Sequence, residues 1–337
     1  MHGCLPWHLG SGAAIKILVT GGAGFVGSHL VDLLIADGHH ITVLDDLSTS
    51  QAKNLAGALE SPHCTLVQGS ILDVALVEKL VGEVDGCFHL AAALGVERII
   101  ERPLESLEIN VRGSEIVLRA CAARGIRTLV TSTSEIYGKS EDIPLQEDGD
   151  RVLGSPLKSR WTYSAAKALE EAYAIILHQQ EGLPVVIARL FNTVGPRQTG
   201  AYGMVIPRFV KAALEGETLR IHGDGTQSRV FCHVTDAVRA LNGLFFSDIS
   251  GDVFNVGGVG EISIAELAQK VISQTHSSSH VELIPYAEAY GTGFEDMQRR
   301  VPDISKINRA IGWKPEISLE GIIDDVASFI STHGDSQ

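Results

Sequence analysis

The chain has 337 residues, 45% of them hydrophobic, enough to bury one large core or two unequal lobes and too apolar for a disordered protein. Its 27 Lys+Arg against 41 Asp+Glu leave a formal charge of -14, which argues against nucleic acid and other polyanions as partners but leaves room for a local basic pocket. Five cysteines, Cys4, Cys64, Cys87, Cys121 and Cys232, stand singly with no C-x-x-C pair, so neither a metal site nor a disulfide framework is expected, and a reducing cytoplasm fits.

Residues 1–14, MHGCLPWHLGSGAA, lack the basic start and apolar segment of a signal peptide and are expected to form a flexible extension. No apolar run reaches the roughly 18 residues of a membrane span, so no membrane association is expected. From Ile15 the apolar residues Ile15, Ile17, Leu18 and Val19 predict a buried parallel strand, which need not alternate because helices cover both its faces. Gly21, Gly24 and Gly27 then form G-x-x-G-x-x-G. Small residues at this spacing permit a tight turn, close approach of backbone to a pyrophosphate, and close packing of helix on strand. Val31, Leu34 and Ile35 carry the helix to a stop at Gly38. A second strand, Ile41 to Leu44, ends in Asp45-Asp46. An acid at that strand end can accept hydrogen bonds from an adenosine ribose and repel a 2′-phosphate, which points to NAD over NADP.

Short apolar strands continue at Cys64–Val67, Val84–Leu90, Arg127–Val130 and Pro184–Leu190, alternating with helices at 101–124 and 163–180. Such alternation implies an α/β fold with a doubly wound parallel sheet and right-handed crossovers. The two long helices could also support a homodimer. Beyond Phe191 the pattern loosens into the turns Gly195–Arg197, Gly200–Gly203 and Gly223–Gly225, a helix near Val205–Glu215, and strands at Leu219–His222 and Arg229–Val234. A helix at 236–246 and a strand at 253–256 return to the first lobe. The expected division is a dinucleotide-binding Rossmann domain from 15–193 and 235–258, and a smaller α/β substrate-binding lobe from 194–234 and 259–331. A ligand is expected in the cleft between them, at the carboxyl ends of the strands.

Thr131-Ser132-Thr133-Ser134-Glu135 follows a strand, and Tyr163 and Lys167, four apart, share a helix face. A tyrosine has a pKa of about 10. A lysine ammonium and a cationic nicotinamide would both lower it, so that Tyr163 takes a proton from a substrate hydroxyl while Thr133 hydrogen-bonds the same oxygen.

These motifs resemble the extended short-chain dehydrogenase/reductases of the nucleotide-sugar epimerase, dehydratase and decarboxylase group, over nearly everything from Ile15 onward. Leu190 to Arg197, Gly223 to Phe231, Arg299 to Asp303 and Gly312 to Pro315 are similar to further segments of that group. The resemblance implies that the substrate is a UDP-sugar, less readily a dTDP-sugar, and that NAD stays bound, reduced and reoxidised within one turnover. It implies cofactor contacts from Gly21, Gly24, Phe25, Val26, Gly27, Asp45, Asp46, Ser70, Ile71, Leu90, Ala91, Ala92, Asn110, Thr131, Tyr163 and Lys167. Substrate contacts are expected from Thr133, Ser134, Asn192, Arg197, Val205, Arg229 and Arg300. Two positions depart from the group's pattern: Ser70 stands for a usual Asp near the adenine, and Asp46 for a commoner Asn.

Oxidation at C4 opens several reactions. Ser134-Glu135 lacks the Asp-Glu pair of the 4,6-dehydratases, and Glu135 is more than a simple epimerase requires. Thr133-Ser134-Glu135, Trp161 before Tyr163, and Arg300 resemble the UDP-glucuronate decarboxylases, in which Arg300 would stabilise or protonate the enolate left by carbon dioxide loss and Glu135 would orient water or sugar. Ala91 to Glu97 resembles the epimerase loop. Decarboxylation of UDP-glucuronate is therefore placed ahead of 4-epimerisation of UDP-glucuronate or UDP-glucose, with dehydration next. A dinucleotide-sensing protein without turnover is the alternative outside enzymes, and intact Thr133, Tyr163 and Lys167 argue against it.

Overall fold

The structure is a computed structural model that describes residues 13–93, 102–158, 161–198, 204–290 and 297–334. Most of the expected N-terminal extension, Leu94 to Glu97 of the alanine-rich loop, Arg160, and the Gly200–Gly203 turn lie outside the described residues.

The first six strands are β1 (Lys16–Thr20), β2 (His40–Asp45), β3 (Cys64–Gln68), β4 (Gly86–His89), β5 (Arg127–Thr133) and β6 (Val185–Leu190). Short strands follow at β7 (Thr193–Val194), β8 (Leu219–His222), β9 (Ser228–Arg229) and β10 (Cys232–His233). The rest are β11 (Asp252–Val256), β12 (Ile262–Ser263), β13 (Val281–Ile284) and β14 (Arg299–Arg300). Seven of them form one sheet in the order β3-β2-β1-β4-β5-β6-β11, with every pair parallel. This is the doubly wound arrangement expected from the alternation of strands and helices. The strand order reverses between β1 and β4, where a crevice opens at the carboxyl ends.

Both faces of the sheet are covered, which is why its strands read as apolar runs. Ile17, Val19, Phe88 and Leu129 point to one face, where the helices Phe25–Ala36 and Val234–Phe245 bring Leu30, Leu34, Val238 and Leu241. Leu18, Cys87 and Val130 point to the other, against Val77, Val117 and Leu177 of the helices Val74–Val81, Ser114–Arg124 and Thr162–Glu181. Each fully buried side chain of this size contributes about 1.5–3 kcal/mol.

A third core, with Phe209, Ile221, Leu267 and Ile323 at its centre, lies under the helices Val205–Glu215, Ile264–Gln274 and Leu319–His333 and the small parallel pair β8 and β13. Tyr137, Leu145, Trp161, Phe191 and Met297 make a fourth cluster. Ile307 and Trp313 pack in the first core, although the expected boundaries assign them to the second lobe; the Trp313 indole donates to the Asp236 carbonyl at 3.0 Å, which holds this segment against the 234–245 helix.

Two elements differ from the sequence-based expectation. The helix expected over 101–124 is interrupted by a π-turn, Glu108–Gly113. Within it the Asn110 amide reaches across to the backbone of Ala93, and Gly113 lies so close to Ile71 that a Cβ there would meet the Ile71 Cγ1 at 2.7 Å. The strand expected over 229–234 is split, because β9 pairs with β12 and β14 while β10 pairs with β7. Among the described residues no helix is long and apolar enough to cross a membrane.

Candidate active site

The glycine turn follows β1 and enters the helix Phe25–Ala36 with Gly24 as its N-cap. Gly21 has φ +71°, a conformation that favours glycine, and a Cβ there would lie 2.7 Å from the Ala91 amide nitrogen. Gly27 packs directly on the turn, and a Cβ would collide with the Gly21 carbonyl oxygen. We expect Gly27→Ala to force the turn open at about 1–3 kcal/mol, roughly 5- to 150-fold in dinucleotide affinity. The cofactor content of the purified protein and a binding titration check this, and unchanged affinity would count against the turn as the cradle.

Asp45 closes the turn from the end of β2. Its carboxylate accepts from the Ala23 amide at 2.9 Å, the Leu47 amide at 2.9 Å and the Ser50 hydroxyl at 2.6 Å. Asp45 therefore fastens the glycine turn to the next loop, a role that its spacing alone did not reveal. Asp46 is exposed and accepts from the Ser48 amide. Ser70 makes a local turn, its hydroxyl accepting from the Leu72 amide at 3.2 Å.

A cleft of about 570 Å³ runs from this turn to the second lobe. Of the expected site residues, Gly21, Gly24, Phe25, Val26, Gly27, Asp45, Asp46, Ser70, Ile71, Leu90, Ala91, Ala92 and Thr131 line it. So do Thr133, Ser134, Glu135, Tyr163, Lys167, Asn192, Arg197, Val205, Arg229 and Arg300. Asn110 is the exception. It is buried and absent from the cleft wall, because its amide accepts from the Ala93 N–H at 2.7 Å and donates to the Ala93 carbonyl at 3.1 Å. From there Asn110 supports the Ala93 backbone, which lines the cleft.

At the middle of the cleft β5 ends in Thr133, whose hydroxyl caps the 3-10 turn Ser134–Tyr137 by accepting from the Glu135 amide at 3.2 Å. The Ser164 hydroxyl donates to the Glu135 carbonyl at 2.6 Å and so fixes the start of the 162–181 helix against this turn. Tyr163 and Lys167 face the cleft from that helix, and the Lys167 ammonium donates to the Thr131 carbonyl at 2.9 Å. Burial, and then the charges of Glu170 and Glu135, push the Tyr163 phenol well above its ordinary range in the protein alone.

Arg300 comes from the far end of the chain. β14 pairs in parallel with β9, which sets Arg300 beside Arg229, and the Arg300 guanidinium meets the Glu135 carboxylate at 2.8 Å. Arg229 donates to the Ser228 carbonyl at 2.8 Å. Two largely buried guanidinium groups on adjacent strands suit a ligand with more than one negative charge. Arg197 reaches the cleft while paired with Asp32 at 2.7 Å, and the Asn192 amide donates to the Val230 carbonyl at 2.8 Å. Sequence reasoning missed Arg208, His222, Gln227 and Tyr286, which line the second-lobe end. Their signal was weak: His222 directly precedes the Gly223–Gly225 turn, Gln227 lies within the Gly223–Phe231 segment, and Arg208 and Tyr286 carry no spacing.

The residues fit a dinucleotide: the glycine turn leaves room where a Cβ would intrude, a helix N-terminus adjoins it, and an acid stands at the end of β2. A doubly wound sheet with this turn, and with Tyr163 and Lys167 on the flanking helix, defines an NAD-dependent enzyme of the extended short-chain dehydrogenase/reductase class. Within it the chain belongs to the GDP-mannose 4,6 dehydratase family, whose model matches residues 18–326.

The chain is 40% identical over 309 residues to a UDP-N-acetyl-alpha-D-glucosaminuronate decarboxylase of Bacillus cytotoxicus, covering 90% of this chain and 94% of that protein. It is 37% identical over 316 residues to UDP-glucuronic acid decarboxylase 1 of Danio rerio, covering 94% and 72%. The crystal structure of a UDP-glucuronic acid 4-epimerase from Bacillus cereus in complex with UDP-glucuronic acid and NAD superposes with a TM-score of 0.84 at 27% identity, over 94% of this chain and 99% of that one.

Proposed function

We propose that the chain decarboxylates a UDP-hexuronate, UDP-glucuronate first among them, with NAD as a resident carrier that leaves each turnover as it entered. The observation that carries this reading is the Glu135–Arg300 pair at 2.8 Å in the cleft that Thr133 and Tyr163 also line. The similarity to decarboxylases along most of the chain supports it.

In this reading Gly21, Gly24, Phe25, Val26 and Gly27 hold the pyrophosphate of NAD, Asp45 and Asp46 the adenosine ribose, and Ser70 and Ile71 the adenine. Leu90, Ala91, Ala92, Thr131 and Lys167 surround the nicotinamide end. Bound there, NAD supplies a two-electron acceptor and donor for C4 of the sugar. Tyr163 takes the proton of the C4 hydroxyl, and Thr133 donates a hydrogen bond to the same oxygen. The C4 ketone lies β to the C6 carboxylate, so the electron pair left by departing carbon dioxide is held on the C4 oxygen, where Tyr163 and Thr133 donate to it. A proton reaches C5 by way of water held beside the Glu135–Arg300 pair, and Tyr163 returns its own proton to the C4 oxygen. Arg229 and Asn192, with Arg197, Ser134 and Val205, hold the nucleoside diphosphate.

Proton NMR of the products tests the reading. A UDP-pentose with one equivalent of carbon dioxide is expected from UDP-glucuronate; UDP-galacturonate without gas would replace decarboxylation by 4-epimerisation. That second reading is favoured by the small side chains of Ala91, Ala92 and Ala93 along the wall. UDP-N-acetylglucosaminuronate, run alongside, reports which C2 substituent the cleft accepts.

A homodimer built on the 162–181 helix is part of the proposal, since Leu169 and Ile176 on it are about half exposed. A cytoplasmic setting is supported by Cys64, Cys87, Cys121 and Cys232, all buried and unpaired as disulfides.

A further inference from the structure

Lys167 has a second neighbour that the proposed chemistry leaves unused. Glu170, one turn along the same helix, lies 2.7 Å from the Lys167 ammonium with its side chain completely buried. Among the described residues, the side-chain groups around Glu170, Lys167 and Tyr163 come from four elements. From β4, His89 comes within 3.8 Å, but burial and the Lys167 charge pull its pKa down to about 3, so it is neutral; its ring nitrogens engage the Thr20 and Ser114 hydroxyls at 2.7 Å and 2.9 Å. From the 114–124 helix, the neighbour is Ser114, which adds no charge. From its own helix, Glu171 turns away to Arg189, engaging it with both carboxylate oxygens. From the 3-10 turn, Glu135 is paired with Arg300. Lys167 is thus the cation that balances Glu170, and in the proposed chemistry it is also the cation that favours the phenolate of Tyr163, one turn in the other direction.

We propose that Glu170 is a positioning residue that competes with Tyr163 for the charge of Lys167, keeping the phenol able to give back the proton it takes from the sugar. The proposal rests on the reading of Tyr163 as the proton acceptor. A reaction that returns C4 to its starting oxidation level needs Tyr163 to release its proton as readily as it accepts it. A buried ammonium with no other counter-ion would hold Tyr163 as phenolate and favour the ketone. A carboxylate at 2.7 Å divides that attraction.

Glu170→Gln removes the competing charge at nearly constant shape. The ionisation of Tyr163 is read in the purified holoenzyme without substrate, as the near-ultraviolet phenolate absorbance lost on adding Tyr163→Phe to each background. The expected result is ionisation at lower pH by about one unit or more, with the acid limb of kcat displaced the same way and more 4-keto sugar released per turnover. Glu170→Asp, which keeps the charge but draws it back from Lys167, is expected to shift the same titration in the same direction by less, and it serves if the Gln variant does not fold. Unchanged or upward ionisation of Tyr163 in either variant overturns the proposal. Full turnover by Tyr163→Phe would instead overturn the functional reading, and the substrate-free titration would still report the competition for Lys167.

Discussion

Tyr163→Phe is expected to lower kcat on a UDP-hexuronate by about 10³-fold, within the usual range for removing a positioned acid-base group, with KM little changed. Phenylalanine keeps the ring and its packing at the start of the 162–181 helix, and Ser164 still ties that helix to the Glu135 carbonyl at 2.6 Å. What is lost is the one hydroxyl that can move a proton at C4, since Thr133 can donate to that oxygen but is too weak an acid to exchange with it. The pH dependence follows from the same group. Tyr163 must be deprotonated to act, and burial with Glu170 and Glu135 holds its proton more tightly than an ordinary phenol's. Activity should therefore rise with pH along an acid limb and level off where Lys167 and the bound cofactor have offset those effects. Steady-state rates of the two proteins across pH, with circular dichroism to verify the fold, check this. A variant retaining a tenth or more of wild-type kcat would remove Tyr163 from the proton transfer.

Arg189→Met is expected to have the largest effect on stability, a loss of about 3–5 kcal/mol. Arg189 is nearly buried on β6, where its guanidinium makes a two-pronged contact with Glu171 at 2.9 Å and 2.8 Å. It also donates to the Tyr137 hydroxyl at 2.8 Å and the Glu147 carbonyl at 2.9 Å. Tyr137 donates in turn to Asn255 at 2.7 Å, and Asn255 donates to the Leu145 carbonyl at 2.9 Å. Burial by itself would make the arginine easier to deprotonate; the Glu171 carboxylate more than reverses that and holds the charge firmly. Removing the cation strands a buried carboxylate with no counter-charge at that distance. The double variant Arg189→Met/Glu171→Leu should recover most of the loss, because two apolar side chains of similar size need no partner. Urea unfolding of the three proteins measures both effects. A loss below about 1 kcal/mol in the single variant, the size of an exposed ion pair, would show that water reaches Glu171. The network also ends on Tyr137, the last residue of the turn that carries Glu135, so the single variant should lose activity before it unfolds.

Much of the fold was legible because its signals are local. Strand positions followed from apolar runs, and helix 205–215 agreed with its expected ends because Gly216, with φ +71°, stops it where the spacing ends. The π-turn was not legible, since it depends on what Asn110 and Gly113 meet across the cleft floor, and no periodicity within 101–124 encodes the Ala93 backbone or the Ile71 side chain.

By itself the sequence determined the turn, the sheet and the pairing of Tyr163 with Lys167 on one helix face, because a glycine spacing, a strand run and an i, i+4 step each act within a few residues. Tertiary structure alone decided how the charges are balanced. β14 alongside β9 brings Arg300 to Glu135 and Arg229, and the sheet carries Thr131 and His89 to Lys167 and Glu170. An ion pair costs little to leave unmade on a solvated chain and much to leave unmade in a core, so which charges meet is settled by where burial occurs.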